Sequence, residues 1–68
     1  MDSHYTVSGM HCQHCVDHVK TEVSAVAGVR RVRLDLDGQL TVSSKSPVEF
    51  GLIEAAVAEA GDYGVRPD

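Results

Sequence analysis

The sequence predicts an α+β fold, a ferredoxin-like βαββαβ sandwich with a four-stranded antiparallel sheet and two helices on one face. Three observations lead there. Two segments repeat apolar residues at steps of three and four, the spacing of a helix. Alternating β-forming segments stand before, between and after them. An Asp37-Gly38 pair joins the middle two strands as a tight hairpin.

The elements follow in order. His4-Tyr5-Thr6-Val7-Ser8 alternates, so Tyr5 and Val7 share one face, and Gly9 breaks the strand. Met10 to Gln13 reads as a short loop. Val16, Val19, Val23 and Val26 then form one helical stripe, with Gly28 as the stop. Four valines lower helix propensity, so tertiary packing must hold this helix. Val32-Arg33-Leu34-Asp35-Leu36 alternates as the second strand, and Leu40 and Val42 continue on the return strand. A two-residue type I′ turn at Asp37-Gly38 would link them. Ser46 as cap, Pro47 at the first helical position and Glu49 closing a capping box predict the second helix start. Phe50, Ile53, Val57 and Ala60 form its apolar stripe, Gly61 ends it, and Tyr63-Gly64-Val65 is a short last strand.

The first two strands are joined through a helix and should run parallel. The third sits between them, and the fourth pairs with the free edge of the first. Both helices then cover one face. This topology gathers the Met10–Gln13 loop, the Asp37-Gly38 hairpin and Gly61-Asp62-Tyr63 at one end. Arg30 and Arg31 lie at the other.

Sixty-eight residues allow one domain, residues 1–68, which buries about 60% of the surface its unfolded chain exposes. An apolar fraction of 43% and a charged fraction of 24% suit a globular domain rather than a disordered tail. The longest apolar stretches are a few residues, too short to insert in a membrane, and no signal peptide is expected. The chain carries 6 basic and 10 acidic residues, a net charge of −4, which disfavours nucleic acid as a partner. It has no Trp, and Tyr5, Phe50 and Tyr63 are too few for a base-stacking platform. No nucleophile–base pair, phosphate loop or spaced carboxylate pair points to an enzyme.

Chemistry concentrates in Gly9-Met10-His11-Cys12-Gln13-His14-Cys15-Val16. Cys12 and Cys15 are the only cysteines. Disulfide-stapled domains need more bridges and longer loops, so the pair reads as metal-binding or redox-active. Cys12 falls in the loop and Cys15 in the first helical turn, where unpaired N–H groups and the helix dipole favour a thiolate. Two soft thiolates with no further obligatory ligand suit Cu(I), whereas structural zinc usually takes four ligands.

Gly9-Met10-x-Cys12-x-x-Cys15 after a first strand resembles the heavy-metal-associated domain family, which includes small copper chaperones of the CopZ type and N-terminal domains of metal-exporting P-type ATPases. Ala27-Gly28-Val29, Val32-x-Leu34-x-Leu36 and Ala56-Val57-Ala58-Glu59-Ala60-Gly61 extend the resemblance over nearly the whole chain. It implies a cytoplasmic chaperone that binds Cu(I) through Cys12 and Cys15 and passes it to a copper-exporting P-type ATPase domain by ligand exchange. A detached ATPase domain is the alternative. In one respect the chain departs from the family pattern: bacterial members often carry Gly-Tyr directly after the second helix, but Asp62 separates Gly61 from Tyr63. The departure bears on the role of Tyr63, which with Asp62 is a secondary candidate for metal contact or tuning, and it brings a hard carboxylate toward the site, which weakens the argument against Zn(II) a little.

The neighbours read more plainly. Met10 is a core residue whose thioether is a secondary candidate ligand. His14 faces solvent and tunes the thiols; its alternative roles are third ligand or bridge in a copper-linked homodimer. His11 is a weaker version of the same. His18 stands one turn beyond His14, and an i, i+4 histidine pair can bind metal, although an exposed polar helix face explains it more simply. Arg30, Arg31 and Arg33 form a solvated face. A thiol–disulfide oxidoreductase would want Pro between the cysteines and a longer chain. A Cys₂His₂ finger fails because His14 lies inside the cysteine pair and no His follows His18.

Overall fold

The computed structural model describes residues 1–68. Its elements are β1 (Asp2–Ser8), α1 (Gln13–Ser24), β2 (Val29–Leu34), β3 (Gln39–Ser44), α2 (Phe50–Ala60) and β4 (Gly64–Pro67). The sheet order is β2-β3-β1-β4, with every neighbouring pair antiparallel, as the sequence predicts. Tyr5 lies opposite Leu40, Val32 opposite Val42, and Val7 opposite Val65, so the apolar positions of all four strands face one side. That side and the inner faces of the helices form the core. Val19, Val23, Leu40, Val42, Ile53 and Val57 are fully enclosed there. Burial of each such side chain contributes about 1.5–3 kcal/mol, and this packing holds a valine-rich α1 that propensity alone would not.

Several boundaries move, each for a local reason. α1 ends at Ser24, before Val26 and Gly28. Ala25 donates to the Glu22 carbonyl and Val26 to the Val23 carbonyl, so the last turn tightens to three-residue bonds. Val26 leaves the helix yet still packs on the core. β2 runs earlier than expected and carries an irregularity between Val29 and Arg31. Leu36 falls outside the strand and is 52% exposed.

The β2–β3 connection is not a two-residue type I′ turn. Gly38 donates to the Asp35 carbonyl (2.9 Å) and Asp35 donates to that of Gln39 (3.0 Å), which closes a longer loop. Only Gly38 has positive φ (+102°), whereas type I′ requires it at Asp37 as well. Glycine is needed there for space too, because a Cβ would lie 2.3 Å from the Val7 carbonyl oxygen. The Val7 amide donates back to the Gly38 carbonyl at 2.8 Å, which ties the hairpin to the end of β1.

The capping box at Ser46 does not form. α2 starts at Phe50, with Glu49 extended (φ −66°, ψ 137°) as its N-cap and no side-chain cap. Packing wins over the local signal: the extended segment brings Val48 against the core, and the Phe50 ring stacks on Tyr5 with centroids 5.9 Å apart. β4 begins after Tyr63 rather than at it. No helix is long and apolar enough to cross a membrane.

Candidate metal centre

β1 delivers the chain to Gly9, and the loop from Gly9 to Cys12 returns it into α1. Cys12 is the N-cap of α1, with extended backbone (φ −155°, ψ 167°), and its carbonyl accepts the amides of Cys15 (3.1 Å) and Val16 (3.3 Å). An N-cap usually offers a Ser, Thr, Asp or Asn oxygen to the free N–H groups of the first turn. Here no side chain caps them and no acidic residue occupies that turn. The helix start is left open toward the sulfurs.

Both thiols are free. Cys12 is exposed on its loop, Cys15 is half-buried on the helix, and their Sγ atoms lie 3.4 Å apart. One small ion can reach both. The Cys15 thiol is lowered from 9.0 to about 7. The Tyr63 hydroxyl is the main cause, as a donor to the sulfur; backbone N–H at His11 and the Cys12 thiol add to it, and partial burial opposes it.

Tyr63 occupies this position because Gly61 makes room for its ring, while Gly9 lies in ordinary contact with it. A Cβ on Gly61 would lie 2.8 Å from the ring edge at Cε2, and one on Gly9 would lie 3.5 Å from Cδ1 and from the Asp62 carbonyl oxygen. The residue inserted between Gly61 and Tyr63 therefore does not carry the tyrosine away from the thiols. The topology was expected to bring Gly61-Asp62-Tyr63 beside the cysteines, and the phenol stands next to Cys15. The sequence reading missed the close approach of Gly61 to the ring. Its only trace in the chain is the glycine that ends α2.

The other candidates separate. Met10 packs half-buried against the core, as a core residue should. His11, His14 and Asp62 are exposed. No three His, Cys, Asp or Glu side chains come together closely enough to share one ion. What the loop offers a single ion is two sulfurs. That fits a soft ion content with few ligands and fits poorly an ion that demands four protein donors.

Residues 4–62 match the heavy-metal-associated domain profile. A COP-associated protein of Helicobacter felis is 41% identical over 56 residues, covering 81% of this chain and 85% of that one. Among solved structures, a CopZ metallochaperone superposes with a TM-score of 0.85 at 28% identity, covering 97% of this chain and all of the other. The N-terminal domain of PacS from Synechocystis PCC6803 gives 0.83 at 25% identity, with 98% and 96% covered. With a profile match across most of its length and the cysteine loop at the place the fold assigns it, this chain belongs to the heavy-metal-associated domain family.

Proposed function

We propose that this domain is a cytoplasmic copper chaperone that carries Cu(I) between Cys12 and Cys15. The observation that carries this reading is the pair of free sulfurs 3.4 Å apart with no third donor beside them. Thiolates select soft ions, and Cu(I) is satisfied by few of them. The thiol lowered to about 7 supplies a thiolate near neutral pH without a base. The likeness to a CopZ metallochaperone over the whole of that chain supports carriage rather than redox chemistry.

The two cysteines differ in a way that suits handover by ligand exchange. Cys12 is exposed on a loop, and Cys15 is anchored on a helix beside Tyr63. An incoming thiolate from a partner displaces Cys12 first and Cys15 second, so the ion is never without a sulfur ligand. The acceptor in this reading is the metal-binding domain of a copper-exporting P-type ATPase. The test is an anaerobic Cu(I) titration against a competing chelator, then transfer to a separable ATPase domain. One Cu(I) per chain held more tightly than Zn(II), and transfer to the acceptor, support it. Preferential retention of Zn(II) in reducing buffer overturns it.

A further inference from the structure

The outer face of α1 carries a second set of metal-ligating side chains that the thiolate site does not use. His14 and His18 are both exposed, one helical turn apart, and their ring centroids are 5.5 Å apart with planes tilted by 44°. The nearest carboxylate on the helix, Asp17, is engaged by the Gln13 amide at 3.0 Å. Neither imidazole is tied to a protein partner, so both keep a ring nitrogen for an external one.

We infer that His14 and His18 chelate a divalent transition-metal ion of the imidazole-preferring class, Ni(II), Cu(II) or Zn(II), at a site separate from the two sulfurs. The spacing fits. A metal–nitrogen bond of about 2.1 Å puts the ion about 3.2 Å from the centre of each imidazole, so two rings on one ion have centres about 4.5 Å apart at the cis angle of square-planar or octahedral Ni(II) and Cu(II), and about 5.2 Å apart on tetrahedral Zn(II). The helix already holds the rings near these separations, and chelation needs only rotation of exposed side chains. Water fills the remaining positions, because no third His, Cys, Asp or Glu is in reach. The two sites differ in softness: imidazole nitrogens take borderline divalent ions, while the thiolates next to them on the same helix take soft monovalent ones. His14 precedes Cys15 directly, so a dication on the histidine pair also adds positive charge beside the thiolate centre.

The site is tested with Ni(II), which does not oxidise thiols and broadens nearby proton signals. It is added to the reduced full chain and to a Cys12→Ser/Cys15→Ser variant, with fold checked by amide spectra. Ni(II) should broaden the ring signals of His14 and His18 in both proteins. His18→Ala and His18→Gln should each weaken Ni(II) at least tenfold, about 1.4 kcal/mol, while Cu(I) binding by the thiols stays at the parent value. Ni(II) bound as tightly by His18→Ala as by the parent overturns the inference. So does broadening centred on His4, His11 or the cysteines, or loss of Ni(II) binding in the thiol-free variant.

Discussion

The Tyr63 hydroxyl and the Cys15 thiol shift one another in opposite directions. The thiol is lowered to about 7 chiefly by the phenol, and the phenol is raised above its ordinary 10.0 chiefly by the thiol. Both shifts describe one hydrogen bond that favours a neutral phenol beside a thiolate. Removal of that donor in Tyr63→Phe should return the Cys15 midpoint toward 9.0, read as thiolate absorbance against pH. The sign for stability follows. A thiol whose folded value is depressed stabilises the fold fully above about 9 and loses that contribution as pH falls through about 7. The parent should therefore gain stability between pH 7 and 9 relative to Tyr63→Phe. A flat difference across that window contradicts the hydrogen bond.

Gly61 controls the same bond from a distance. An alanine methyl there would meet the tyrosine ring at 2.8 Å, so the ring must move. Gly61→Ala should raise the Cys15 midpoint as Tyr63→Phe does. It should also destabilise the domain by about 1–3 kcal/mol, the usual cost of overpacking. Denaturant unfolding measures the second effect and thiol titration the first. An unchanged thiol midpoint in a folded Gly61→Ala protein would mean that the ring does not need the glycine.

Serine at either cysteine removes half of a two-donor set that nothing nearby replaces. Cys12→Ser and Cys15→Ser should each reduce Cu(I) affinity by orders of magnitude under chelator competition, because the thiolate is the ligand. The fold should survive, since Cys12 is exposed and Cys15 only half-buried. His14→Ala, by contrast, should keep one Cu(I) per chain while shifting the pH dependence of its binding and how loaded chains associate, read by titration at several pH values and by sizing. Loss of that stoichiometry would make His14 an essential ligand.

The cysteine loop and the element order were legible because each is written locally. Valines at steps of three and four, alternating strands and a paired-thiol motif need no tertiary information. What local sequence did not reveal was decided by contacts across the fold. The Ser46 capping box yielded to the packing of Val48 and Phe50. The Asp37-Gly38 turn yielded to the close approach of Val7. The place of the Tyr63 ring beside Cys15 depends on the close approach of Gly61, a contact that local sequence does not show. Counting residues along a loop does not measure where its side chains end up.

Charge at the metal end should govern the encounter with an acceptor. The Asp35–Gly38 loop is tied to Val7, and the Asp62 carbonyl lies beside Gly9, so Asp37 and Asp62 flank the cysteine loop, with Glu59 in the last turn of α2. Arg30 and Arg31 sit at the opposite end, where Val29 pairs with Ser44. Opposite charges set encounter rate and orientation more than affinity, and a carrier must also release its partner. A contact below about 1,200 Å² suits that need. Reversal of Asp62 and Glu59 to Lys should slow Cu(I) transfer to a basic acceptor surface at low salt and matter less as the Debye length shortens. Reversal of Arg30 and Arg31 to Glu should change transfer little at any salt. Stopped-flow transfer rates across ionic strength decide the matter, and a larger slowing from the arginine pair would move the docking face to the far end of the sheet.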